Sequence, residues 1–128
     1  MRDEILKLLN GEKITSTPAF SGLIHVTAEG LKSEGLSLKE VHHDAEKMAR
    51  AAASTFKLTG MPSTALPLDL CSPAEALGAE LIFYDDEEMQ FPQVKKLLFQ
   101  STKEIKGVES RGVENSGRIG LICEAIGL

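Results

Sequence analysis

Asp69 is the residue that type and position mark out for chemistry. It closes the apolar run Thr64-Ala65-Leu66-Pro67-Leu68, and a helix start follows at once in Cys71-Ser72-Pro73-Ala74-Glu75. A carboxylate placed there can hold a cation or an N–H-bearing group, or move a proton. Asp also opens turns by accepting backbone N–H groups, so a structural reading stands beside the chemical one. His25 lies near the end of an earlier apolar run and could face the same mouth as a substrate contact; a lone imidazole also serves as a structural or surface residue. Cys71 sits just before a helix N-terminus, where a thiolate is favoured, so it reads as a reactive thiol or a metal ligand. Cys123 falls on the apolar face of the last helix and reads as core. His42 and His43 are adjacent, and neighbours on a helix do not face each other. His43 and Glu46 have the spacing to share a metal with outside help, but a solvated polar face is by far the better reading. No CxxC, HxC or HExxH occurs, so no metal ligand is assigned. GxGxxG, P-loop and GxSxG motifs are missing too.

The elements that must position these groups alternate in type. Residues 3–9 read as a short helix stopped by Asn10-Gly11, and Pro18 to Val26 as a strand. Ala28 to Gly35 reads as a polar connector or a marginal helix. Ser37-Leu38-Lys39-Glu40 is a capping box. It predicts one helix of about 22 residues, roughly 33 Å long, with Val41, Ala45, Met48, Ala49, Ala52 and Phe56 on its apolar face and Gly60 at its end. A strand over 64–68 leads to Asp69. Ser72 then reads as an N-cap, Pro73 as the first helical residue, Glu75 as the capping-box partner and Gly78 as the stop. Residues 79–84 alternate like a strand, and Asp85-Asp86-Glu87-Glu88 ends it as a solvated loop. Residues 91–106 are ambiguous. Ser116 reads as the cap of a helix from Gly117 to Leu128, with Ile119, Ile122, Cys123 and Ile126 facing inward. Strands alternating with helices imply an α/β fold with a parallel sheet, whose chemistry sits at the carboxyl ends of its strands. Two or three strands are too few to close a (β/α)8 TIM barrel, which takes about 250 residues.

Bulk properties narrow the function classes. The 128 residues are enough for one domain. Fourteen Lys and Arg against 19 Asp and Glu give a net charge of -5, which argues against nucleic acid as a partner. No run approaches the length of a membrane span, and the charged N-terminus has no signal-peptide core. The two cysteines have no framework spacing, which fits reduced thiols in a cytoplasm.

Four stretches together resemble the uroporphyrinogen decarboxylase superfamily, and within it the branch of methylcobamide:coenzyme M methyltransferases. They are Glu4-Ile5-Leu6-Lys7-Leu8-Leu9-Asn10-Gly11-Glu12, His43-Asp44-Ala45-Glu46-Lys47-Met48-Ala49, Asp69 with Pro73 and Ala76-Leu77-Gly78, and Gly117-Arg118-Ile119 with Glu124-Ala125-Ile126. The resemblance covers nearly the whole chain but only the first part of the family's barrel. It implies that residues 1–128 are the N-terminal portion of a TIM barrel, incomplete in this chain.

The resemblance places Asp69 where the decarboxylases carry the active-site aspartate that contacts pyrrole nitrogens. It also implies a choice between two chemistries. Decarboxylases bind substrate carboxylates with an Arg-rich segment after the first strand, whereas Ser21 to Gly35 contains no Arg. A polycarboxylate substrate would meet no guanidinium fork there. The methyltransferases move a methyl group from a corrinoid (methylcobamide), delivered by a corrinoid protein, to a small thiol such as coenzyme M, and activate that thiol on zinc. The family's zinc ligands lie in the later part of its barrel. The expectation is therefore a methyltransferase portion inactive by itself. The alternatives are a decarboxylase-like lyase, or a truncated paralogue that acts as an interaction module and self-associates.

Overall fold

The computed structural model describes residues 2–18, 26–107 and 112–128. Helix α1 (Arg2–Leu9) carries Asp3 and Glu4 in its first turn and Lys7 in its last, which complements the helix dipole. It buries none of its residues. The strand expected from Pro18 to Val26, with His25 in it, lies outside the described residues apart from its two ends.

The stretch read as connector or marginal helix is a capped helix, α2 (Ala28–Glu34). Thr27 accepts a hydrogen bond from Gly30 N at 3.0 Å, and Gly35 ends the helix in the left-handed region at φ 65°. Gly30 is where α2 meets α4. A Cβ at that position would collide with Ser54 Oγ and stand 3.2 Å from Ser54 Cβ.

The long helix expected from Ser37 to Thr59 is two helices, α3 (Leu38–Val41) and α4 (Ala45–Thr59). The capping box of Ser37 and Glu40 forms as read. The break falls at Asp44, whose carboxylate takes the N-cap position of α4 and accepts from Lys47 N at 2.9 Å. A short acidic side chain competes better as a cap than as a helical residue, and here it ends one helix and starts another. The consequence is local: His42 leaves the helix path and turns into the core. Helix α4 is about 22 Å long rather than 33 Å. Its buried face is Ala45, Met48, Ala51, Ala52, Ser54 and Thr55, whereas Phe56 is exposed.

Residues 64–68 run without a ladder among the described residues. Leu68 is nonetheless fully buried, and Leu66 packs against the core. Helix α5 (Ser72–Ala76) follows, with Cys71 rather than Ser72 at its N-cap. The segment 79–84 contributes β1 (Leu81–Ile82), which pairs antiparallel with β2 (Gln93–Val94) in the register Leu81 to Val94 and Ile82 to Gln93. This two-stranded pair is the only sheet among the described residues. The parallel ladder expected from the alternation does not form there, because 81–82 pairs with a local return strand.

Single 3-10 turns at Glu104–Gly107 and Val113–Asn115 lead to α6 (Ile119–Gly127). Arg118, not Ser116, holds its N-cap position, without a capping side-chain hydrogen bond. Only Ile122 and Ala125 of α6 are buried, so Cys123 and Ile126 are exposed rather than core. The core joins α2, α3, α4 and α6 through Leu31, Leu38, Val41, Met48, Ala52 and Ile122, with Leu68 reaching in from the loop.

Candidate functional site

Asp69 sits at the centre of a buried polar node. Its side chain has lost all contact with solvent. One carboxylate oxygen, Oδ1, accepts from Cys71 N at 2.7 Å and Ser72 N at 2.9 Å. Asp69 thereby does for the start of α5 what a capping side chain does, and the Ser72 side chain is not needed for it. The other oxygen, Oδ2, accepts from Arg118 Nη1 at 3.0 Å. Asp69 is thus a turn-opening carboxylate that is also paired with Arg118.

Arg118 ties three segments together. Its Nε donates to Glu75 Oε2 at 2.8 Å, and its guanidinium carbon stands 4.9 Å from the centre of the Phe83 ring. A planar guanidinium can satisfy two carboxylates and an aromatic face at once, which a lysine cannot. Glu75 was expected to reach back to the α5 cap and instead serves Arg118. Gly117 permits the approach. It adopts φ 55°, and a Cβ there would lie 3.0 Å from Glu75 Cγ and 3.3 Å from Ala76 N.

His42 completes the node. Its Nδ1 lies 3.4 Å from Arg118 Nη1 and 3.6 Å from Asp69 Oδ2. The longer distance is no hydrogen bond. An arginine can only donate, so Nδ1 offers its lone pair and the proton of the neutral ring sits on Nε2. Burial pushes the His42 pKa down to about 4; Asp69 opposes that shift and Arg118 adds to it. His42 Nε2 and Arg118 Nη2 are buried and have no hydrogen-bond partner among the described residues. Phe83 packs against both histidines, with ring centres 5.8 Å from His42 and 4.4 Å from His43. Burial also lowers the His43 pKa, with Arg118 contributing.

The other expected groups lie elsewhere. Cys71 Sγ donates to Pro92 O at 3.1 Å, so this thiol is tied to the loop before β2. Cys123 is exposed on α6. His43 packs against Phe83. The acidic run is exposed, yet Asp85 pairs with Lys39 at 3.1 Å and Asp86 accepts from Leu38 N at the start of α3. His25 lies outside the described residues. Among the described residues no group of three or more His, Cys, Asp or Glu side chains could hold a metal ion. The resemblance assigns its zinc ligands to a later part of the barrel, so none of these residues is read as a zinc ligand.

Spacing in the chain pointed to Asp69 but not to His42 or Arg118. The signals for them were faint: an Arg between Gly117 and an apolar helix, and an Asp two residues after His42 able to interrupt the helix.

Arg118, Asp69, Glu75 and His42 thus join the starts of α5 and α6 to the break between α3 and α4 in one buried node. The chain matches the family model for uroporphyrinogen decarboxylase (URO-D) over residues 1–128, and it belongs to that family. Among curated proteins it is similar to the methylcobamide:CoM methyltransferase MtbA of Methanosarcina acetivorans, at 27% identity over 98% of this chain and 36% of the relative. The MtbA of Methanosarcina mazei matches at 25% identity over the same shares. A solved methyltransferase from Methanosarcina mazei superposes with a TM-score of 0.84 at 27% identity, covering 96% of this chain and 36% of that one. The chain thus spans about a third of the length of the relatives it matches. No helix among the described residues is long and apolar enough to cross a membrane.

Proposed function

We propose that this chain is the N-terminal portion of a TIM-barrel protein of corrinoid-dependent methyl transfer, moving a methyl group from methylcobamide to a thiol such as coenzyme M. The full reaction belongs to the whole barrel, and the 128 residues are inactive by themselves. The similarity to methyltransferases over nearly the entire chain supports this reading. The observation that carries it against porphyrinogen decarboxylation is the engagement of Asp69. A carboxylate that contacts pyrrole N–H groups needs open lone pairs at a solvent-accessible mouth. The Asp69 side chain is instead sealed from solvent, with Oδ1 accepting from Cys71 N and Ser72 N and Oδ2 from Arg118. The lack of Arg between Ser21 and Gly35 points the same way.

In this reading Asp69 is the carboxylate of one wall of the active site and works as a positioning residue. It fixes the start of α5 and holds Arg118, which in turn orients Glu75 and the His42 ring. His25 is assigned the role of a substrate contact. No residue of this chain is assigned to zinc or to the corrinoid. The corrinoid arrives on a partner corrinoid protein, and the setting is the cytoplasm, in keeping with two free thiols.

The test is a graft. This chain replaces the matched third of the Methanosarcina mazei methyltransferase, and the hybrid is assayed with methylcobamide and coenzyme M and, separately, with uroporphyrinogen. Thiol-dependent loss of the methylcobamide spectrum supports the proposal. Carbon dioxide release from uroporphyrinogen with no methyl transfer refutes it.

A further inference from the structure

Strands β1 and β2, with the residues that join them, form a hairpin over 80–95. Its root is closed by one residue pair: Lys95 N donates to Glu80 O at 2.9 Å, and Lys95 Nζ pairs with Glu80 Oε1 at 2.5 Å. Two antiparallel pairs, Leu81 with Val94 and Ile82 with Gln93, are too few to hold a hairpin in place in water. Contacts with the node around Asp69 supply the rest, and they come from both arms.

The outgoing arm lays Phe83 against the node. Its ring centre stands 4.9 Å from the Arg118 guanidinium carbon, 5.8 Å from the His42 ring and 4.4 Å from the His43 ring. The face of the ring attracts the cation, and its bulk keeps water from the imidazole. Two residues further on, the same arm is fastened to α3. Asp85 pairs with Lys39 at 3.1 Å, and Asp86 accepts from Leu38 N at the start of the helix whose far end carries His42. The return arm is held by a different bond. Pro92 O accepts from Cys71 Sγ at 3.1 Å, and the backbone N–H of Cys71 donates to Asp69. Between the arms Met89 adopts φ 46°, a left-handed conformation that a residue with a side chain takes only where its surroundings hold it there. Aromatic, ionic and thiol contacts thus converge from two arms on one group of buried side chains.

We infer that the 80–95 hairpin is a flap over the Asp69–Arg118–His42 node, that Phe83 is the residue through which it positions Arg118 and His42, and that its two arms lift together. The inference stands whichever reaction the whole fold performs. The contacts with α3 are exposed and ionic, so salt weakens them, whereas it spares the ring and thiol contacts. Lifting the flap lets water reach His42. The charged and titratable groups that face His42 are Asp69 from the loop before α5, Arg118 from the start of α6 and His43 beside it. Burial is the largest influence on the imidazole and holds its pKa down to about 4, so an open flap moves it back towards about 6.5. On the other arm, an open flap frees the Cys71 thiol from Pro92 O.

The test reads both arms at once in the full 128-residue chain, with Cys123→Ser leaving Cys71 as the one thiol. Alkylation of Cys71 by iodoacetamide is timed at fixed pH, and the His42 imidazole is titrated by proton NMR. Phe83→Leu keeps apolar bulk without the aromatic face. It is expected to speed alkylation at least about tenfold and to raise the His42 pKa from about 4 to at least about 5. Phe83→Tyr keeps the ring and is expected to restore both values. Asp85→Asn with Asp86→Asn, both exposed, is expected to speed alkylation and to abolish its dependence on salt. Gly30→Ala weakens the α2–α4 contact away from the flap and is expected to move neither value, which separates flap opening from a general loss of stability. Circular dichroism checks the helices of each variant; if Phe83→Leu does not fold, the Asp85 and Asp86 pair decides by the same two readouts. A Cys71 rate that ignores Phe83→Leu would show that the arms do not move together. A His42 pKa that stays near 4 while the thiol is freed would show that the flap does not shield the node. Either result, or Gly30→Ala reproducing both changes, overturns the inference.

Discussion

Replacing Arg118 by Leu removes the cation that, among the described residues, the buried Asp69 carboxylate touches. Asp69 keeps the two backbone donors on Oδ1, but Oδ2 is left facing a His42 nitrogen 3.6 Å away that offers no proton. Glu75 loses its partner as well, and Phe83 loses the guanidinium 4.9 Å from its centre. Removing one member of a buried ion pair costs about 3–5 kcal/mol, because the remaining charge stays buried. A domain of this size has a total stability of about 5–15 kcal/mol. At a urea dependence of about 2 kcal/mol per molar, the unfolding midpoint falls by about 2 M. Arg118→Lys retains the charge without the fork or the flat face, and is expected to fall between wild type and Leu. Asp69→Asn keeps an oxygen for the backbone donors and removes the buried charge. Combined with Arg118→Leu it is expected to cost less than the two single changes together, with a coupling of about 0.5–3 kcal/mol. Urea unfolding followed by circular dichroism on the wild type and the four variants reads this directly. A loss below about 1 kcal/mol for Arg118→Leu, or additivity within about 0.5 kcal/mol, would refute the ion pair as the organising contact.

Further tests address acidity, packing and ligand choice. The unfolded chain binds a proton on His42 below about pH 6.5, whereas the native imidazole stays neutral down to about 4. Stability is therefore lost as pH falls from 6.5 towards 4, by about 3 kcal/mol from this residue. His42→Gln should flatten that part of a urea midpoint-against-pH curve, and an unchanged slope would exclude His42 as its source. Gly30→Ala drives a methyl group into Ser54 and should cost about 1–3 kcal/mol, read from the same midpoint. A neutral or stabilising result would mean that α2 and α4 are not in close contact. Titration of the chain with uroporphyrin, followed by fluorescence, should show no saturable binding. Stoichiometric binding lost in Asp69→Asn would favour the decarboxylase reading.

Local chemistry was readable where it depended on neighbours in the chain. The Ser37 and Glu40 capping box, the Gly60 stop and the departure of the chain from Asp69 into a helix all follow from residues a few positions apart. The His42–Asp44 break was missed because hydrophobic spacing runs through it from Val41 to Ala45, and Asp44 can be either a helical residue or a cap. The inward turn of His42 settles the matter, and that turn depends on Asp69 and Arg118, 27 and 76 positions further on. Periodicity likewise put Ile126 and Cys123 on the inner face of α6, but α4 covers only the stripe of Ile122 and Ala125. Residues 81–82 have strand composition, which does not reveal the partner. The local segment 93–94 pairs with them, so the ladder is antiparallel where alternation of strands and helices implied parallel.

The most direct measurement is the rate at which the hybrid methyltransferase, carrying this chain in place of its matched third, demethylates methylcobamide with and without coenzyme M. The expected result is thiol-dependent turnover that falls steeply in Arg118→Leu while the hybrid remains folded. Turnover that ignores the thiol, or a folded hybrid that decarboxylates uroporphyrinogen instead, would contradict the assignment of this chain to methyl transfer.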